Sequence, residues 1–177
     1  TSLGRKVFLY RGHEEEPDLA LSDPTGSGRY FGGALCFFGD VDQDGCPDLA
    51  VGSFDESSGA LKYAGSVRVF SGLSGLELFV LRGVAPESCL GSSLAAAGDL
   101  DGDGVVDLLV GAPGPPWGDP RGHTGTVLAL SGHTGSTLRV LSGQVVGERF
   151  GESVTGGEDL NGDGVPDVVV GAPGASL

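Results

Sequence analysis

Acidic side chains alternate at the start of one short stretch, residues 99–113, which reads DLDGDGVVDLLVGAP. Asp99, Asp101 and Asp103 alternate, Gly104 follows, and a further acid stands at Asp107. Carboxylates at loop positions 1, 3, 5 and 9 converge on one point if the chain turns sharply at position 6, where glycine tolerates the necessary dihedrals. That is a cradle for a hard cation. An all-oxygen ligand set with two-residue spacing suits Ca²⁺, which accepts many oxygens in flexible geometry, better than Mg²⁺, which keeps its waters and takes few carboxylates. The expected ligands are Asp99, Asp101, Asp103, the Val105 carbonyl and Asp107.

The pattern occurs three times, with offsets of 59 and 60 residues. The first copy reads DVDQDGCPD and predicts Asp40, Asp42, Asp44, the Cys46 carbonyl and Asp48 as ligands. The third reads DLNGDGVPD and predicts Asp159, Asn161, Asp163, the Val165 carbonyl and Asp167. Asn161 removes one charge, so the third loop is expected to bind most weakly. An EF-hand would need a glutamate at position 12 and flanking helices. Val51, Val110 and Val170 stand there instead, inside β-rich runs. Without metal, each loop would be an acidic turn whose carboxylates repel one another.

The flanking residues indicate what must hold these loops. Each is followed by a short apolar run ending in glycine (LAVGS, LLVGAP, VVVGAP) and preceded by Phe31-Gly32, Leu90-Gly91 or Phe150-Gly151. Further strands are expected in the matching segments KVFLYRG, SVRVFSG and TVLALSG. Hairpin turns at 71–75 and 131–135 lead from the last two into Leu78–Leu81 and Leu138–Leu141. A weaker counterpart, Leu19-Ala20-Leu21, follows the acidic run at Glu14, Glu15 and Glu16, which reads as a solvated turn. With the four strands of a unit called A to D, the chain parses as C-D, A-B-C-D, A-B-C-D, A-B. The expected units are a half-blade at 1–30, blades at 31–89 and 90–149, and a half-blade at 150–177. The predicted fold is therefore all-β, with propeller blades of four antiparallel strands, about three blades' worth.

Composition agrees with this organisation. The chain has 177 residues, 34 of them glycine, and no methionine. No run approaches the ~18 apolar residues of a membrane span. The chain begins with Thr1 and shows no charged-then-apolar leader, which reads as a mature or excised piece. A net charge of −14 argues against nucleic acid as a partner. Eleven of the 24 acids are predicted metal ligands. Cys36, Cys46 and Cys89 are odd in number and lack CxxC spacing; Cys36 and Cys89 could pair between neighbouring units, or all three could be buried thiols. Asn161, the only asparagine, is not in a glycosylation sequon.

In its ordered recurrence of Phe-Gly, acidic loop and Gly-Ala-Pro, the chain resembles FG-GAP repeats, the blades of the integrin α-subunit head and of many bacterial and algal surface proteins. Leu90 replaces the phenylalanine of the second repeat, and Gly52-Ser53-Phe54 replaces Gly-Ala-Pro in the first; neither change touches a predicted ligand. The resemblance implies that the A–B loops bind calcium on one face of a propeller. It also implies that the B–C and D–A loops meet ligands on the other face.

No hydrolase elbow, phosphate loop or zinc-protease motif is present, and no enzyme activity is expected. His13, His123 and His133 read as exposed turn residues. Lys62 and Tyr63 in one B–C loop, and Trp117, Arg121 and His123 in the other, pair aromatics with cations in a manner suited to a protein or glycan partner, although the plainer reading of Trp117 is a packed loop anchor. Propellers have four to eight blades, so three blades' worth leaves open edges. Two ways to complete it remain: further blades of a longer chain, or self-association of half-blades into a ring or filament. The expected function is a calcium-binding extracellular or cell-surface module for adhesion, recognition or surface assembly. Alternatives are a structural subunit polymerising head to tail and a carbohydrate-binding or polysaccharide-lyase-type propeller.

Overall fold

The structure, a computed structural model, describes residues 5–13, 15–116, 118 and 121–175. Twelve strands and no helix are found among them. β1 (Lys6–Leu9) and β2 (Leu19–Ser22) form a two-stranded sheet. β3 (Ala34–Phe37), β4 (Leu49–Ser53), β5 (Ser66–Phe70) and β6 (Glu77–Arg82) form a four-stranded sheet in sequence order. β7 (Ser93–Gly98), β8 (Asp107–Ala112), β9 (Thr126–Leu130) and β10 (Thr137–Ser142) repeat it. β11 (Ser153–Glu158) and β12 (Asp167–Gly171) form a final pair. Every pairing within these sheets is antiparallel, as four-stranded blades of a partial propeller require.

β3, β7 and β11 each begin two residues after the glycine of the preceding Phe-Gly or Leu-Gly pair, not at it. Gly32, Gly91 and Gly151 have φ of +86°, +86° and +91°, a left-handed kink that extended strand cannot continue through. Their N–H groups donate to the carbonyls of Gly52, Gly111 and Gly171, so both glycines of each repeat signature meet at one point. There the units also join. A Cβ on Gly52 or Gly111 would strike the carbonyl of Gly91 or Gly151 in the next unit.

The cores lie between sheets. Val7 and Leu21 of the first pair pack on Phe31, Leu49, Val51 and Phe70. Val67 and Val69 of the first full blade meet Leu108, Val110 and Leu130 of the second. Leu109 and Val127 meet Val154, Val168 and Val170 of the last pair. β4, β5 and β8 are buried along their whole length because both sheet faces and both edges are covered. Among the described residues β12 has only β11 beside it, and it is half-buried with Val169 exposed.

Candidate metal centres

Because consecutive strands run antiparallel, the A–B loops and C–D turns lie at one end of the sheets, and the B–C and D–A loops at the other. The acidic loops are the A–B loops. Gly45, Gly104 and Gly164, at position 6 of each, have φ of +90°, +86° and +87°. Position 4 also needs a left-handed residue: Gly102 and Gly162 supply it at +80° each, and Gln43 adopts it at +59° without glycine's freedom. Glycine in two of the three copies was the available signal for that requirement.

The loops fold on their own carboxylates. The N–H groups of Asp44 and Gly45 donate to the two oxygens of Asp40 at 3.0 and 2.8 Å. Asp103 and Gly104 do the same to Asp99 at 3.1 and 2.8 Å, and Asp163 and Gly164 to Asp159 at 3.2 and 2.8 Å. Carboxylate oxygens of Asp40, Asp42 and Asp44 lie within 4.8 Å of one another, as do those of Asp99, Asp101 and Asp107. No such acidic trio is found in the third loop among the described residues. There Asn161 stands among Asp159, Asp163 and Asp167, and its Nδ2 donates to Asp163 Oδ2 at 3.1 Å. The carbonyls of Cys46, Val105 and Val165 accept no hydrogen bond from the described residues.

The ninth-position aspartates play a second part. Asp48 and Asp107 are fully buried. Asp48 accepts from the N–H of Val41 at 2.7 Å and of Gly72 at 3.1 Å; Asp107 accepts from Leu100 at 2.7 Å and Gly132 at 2.9 Å. Each thereby ties its acidic loop to the C–D turn of the same blade, a role that repeat spacing alone did not reveal. Gly72 and Gly132 must be glycine there, since a Cβ would meet the carbonyl of Pro47 or Val106. The Ser71 hydroxyl adds a bond to Asp44 at 3.0 Å. In the third loop Asp167 keeps the equivalent bond from Leu160 at 2.7 Å, and among the described residues no C–D turn supplies the other.

Burial raises the Asp48 and Asp107 carboxyls above their ordinary range, against the pull of those N–H donors. A buried carboxylate held charged at neutral pH is stabilised by an adjacent cation. Asp159, by contrast, is exposed, and the Gly164 N–H foremost, with those of Gly162 and Asp163, holds its carboxyl below the usual range. The donor set, carboxylate and carbonyl oxygen without sulfur or imidazole, fits a hard divalent ion.

Elsewhere one open alternative is resolved and one expectation changes. All three cysteines are free thiols, Cys89 buried and Cys36 and Cys46 half-buried. His13 and His133 are exposed, but His123 is half-buried with Nε2 3.1 Å from the Pro86 carbonyl oxygen. Trp117 lies outside the described residues. Arg121 pairs with Glu87 at 3.2 Å, and Lys62 and Tyr63 line a groove at the B–C end.

Known proteins carry the same signature. The FG-GAP repeat model matches residues 31–70, 90–130 and 150–176. The chain belongs to the FG-GAP repeat family. It is 34% identical to integrin alpha-2 of Mus musculus over 96% of its own length, and 36% identical to integrin alpha-IIb of Homo sapiens over 83%. With integrin alpha-5 of Xenopus laevis it shares 35% over 76%. It spans about 15% of the length of these relatives. Each FG-GAP match contains one of the three acidic loops and the Phe-Gly or Leu-Gly kink that precedes it.

Proposed function

We propose that this FG-GAP chain is a calcium-stabilised, non-enzymatic interaction module that works outside the cytosol in adhesion, recognition or surface assembly. The observation that carries the reading is the convergence of carboxylates on A–B loops whose ninth residue is bonded into the blade. Ca²⁺ would be held by Asp40, Asp42, Asp44, the Cys46 carbonyl and Asp48 in the first loop. Asp99, Asp101, Asp103, the Val105 carbonyl and Asp107 would serve in the second. Asp159, Asn161, Asp163, the Val165 carbonyl and Asp167 would form a weaker third site. A bound ion neutralises the clustered charge and fastens each loop between two strands. The opposite face, built from B–C and D–A loops, is left for a protein or glycan partner. In this reading the units are the half-blade 1–30, blades 31–89 and 90–149, and the half-blade 150–177.

Thermal unfolding in millimolar calcium and in excess chelator tests the proposal. A higher Tm with calcium is expected; equal values would refute it. Isothermal titration should count three sites, the third weakest.

A second reading is favoured by the unpaired edges of β1 and β12. Tyr10, Phe8, Leu35 and Phe37 are exposed around an apolar groove beside β1. By the register of β8 on β9, β12 could take a C strand such as β1, with Gly171 opposite Val7 and Val170 opposite Phe8. Two copies exchanging half-blades in this way would form a ring or a filament. Light scattering with and without calcium decides it: a monomer with a cooperative melt would exclude the reading.

A further inference from the structure

At the B–C end of the first full blade, residues 27–30 and the loop after β4 enclose a groove of roughly 450 Å³. Arg29 and Lys62 line it together with Tyr30, Phe54 and Tyr63. Neither cationic side chain has an ion pair or hydrogen bond among the described residues. That is notable in a chain with only ten cations and a net charge of −14. Asp55 also lines the groove, but its carboxylate is already engaged, accepting from the N–H groups of Arg29 at 2.8 and 2.9 Å and of Tyr30 at 3.1 Å. The neighbouring Glu56 turns inward to Arg68 and Ser66. Among the described residues the two cations therefore line the groove without an ion pair to either of these carboxylates.

We infer that this groove binds an acidic segment of a protein partner, with one carboxylate taken by Arg29 and Lys62 and an adjoining apolar side chain laid against the rings. The proposal rests on reading the chain as an interaction module and names the chemistry of its partner. A guanidinium presents a planar fork that matches a carboxylate, and the ammonium adds a mobile second donor. Tyr30 and Phe54 stack on each other, with centroids 4.7 Å apart and planes at 29°, making an apolar wall. A polyanionic glycan would extend over the rest of this acidic surface and be repelled by it; a single carboxylate among apolar groups would not.

The test is a positional-scanning hexapeptide library presented to the full chain in millimolar calcium. Binding of the selected peptide and of its Asn- or Gln-substituted twin is then measured by fluorescence polarisation. Aspartate or glutamate should dominate one position with an apolar neighbour, and the amide twin should bind at least tenfold more weakly. Arg29→Ala and Lys62→Ala should each weaken the acidic peptide about fivefold. Arg82→Ala, which removes an exposed cation outside the groove, should leave binding unchanged. Absence of any selected peptide, selection without an acidic position, equal binding of the twins, or unchanged binding by the Arg29→Ala/Lys62→Ala double variant would each overturn the proposal. So would binding of a labelled uronic-acid hexasaccharide in place of the peptide. The calcium-dependent Tm of the same samples separates this failure from failure of the module reading: a groove that binds nothing leaves the calcium response intact.

Discussion

Asp107 and Asp101 are expected to serve the same ion, yet the structure gives them different burdens without it. Asp107 is fully buried and accepts two backbone N–H bonds, from Leu100 at 2.7 Å and Gly132 at 2.9 Å. Asp107→Ala removes both acceptors and leaves two donors unpaired, one of them buried. At about 1–3 kcal/mol for each unpaired donor, partly offset because burial already disfavours the charged carboxylate, the net cost is about 2–4 kcal/mol. For a chain of this size that is a fall in Tm of roughly 4–16 °C. Asp101 is exposed and, among the described residues, accepts only the Asp103 N–H at 3.2 Å. Asp101→Ala should therefore cost less than about 1 kcal/mol in chelator. In calcium both variants should lose the stabilisation contributed by the second loop. Differential scanning calorimetry of the two variants and the parent, each with chelator and with millimolar calcium, resolves the two contributions. Equal melting temperatures for both variants in chelator would refute the anchoring argument. A full calcium response in Asp101→Ala would refute its assignment as a ligand.

Other substitutions probe the seam, the buried charge and the third loop. Gly91→Ala places a Cβ 2.6 Å from the Ser66 carbonyl oxygen at φ +86°, whereas Gly45→Ala meets nothing within 4 Å at φ +90°. Denaturant melts should show about 1 kcal/mol lost for Gly45→Ala and at least twice that for Gly91→Ala; equal losses would contradict the close packing of successive units. Arg68 is 1% exposed and bonded to Glu56 at 3.0 Å and Glu77 at 2.9 Å. Arg68→Ala should cost about 3–5 kcal/mol by stranding the buried Glu56, and Arg68→Met combined with Glu56→Gln should recover part of it, as read by chemical unfolding. Asn161→Asp restores the third carboxylate of the last loop, and titration calorimetry should find its calcium affinity raised towards that of the other two.

The strand order was legible because its signals are local. Carboxylates within nine residues, a glycine at the turn and an apolar run behind it lie on one continuous piece of backbone, and their triple recurrence identified units whose four strands the structure reproduces. Thiol pairing was not legible, since a disulfide depends on distance between segments, and all three cysteines are free. The anchoring of Asp48 and Asp107 escaped for the same reason: their partners Gly72 and Gly132 are 24 and 25 residues away. His123 is half-buried with its Nε2 beside the Pro86 carbonyl, 37 residues distant.

Sequence by itself therefore determined the acidic loops, the repeat and the chain's partition into strands, all of which follow from short-range dihedral and charge patterns. Tertiary structure alone decided which glycines must admit a neighbouring unit's carbonyl, where Arg68 finds its counter-charges, and that Arg29 and Lys62 share one groove. Those outcomes require sheets to pack face to face, and the packing brings together side chains and carbonyls that no local period places near one another.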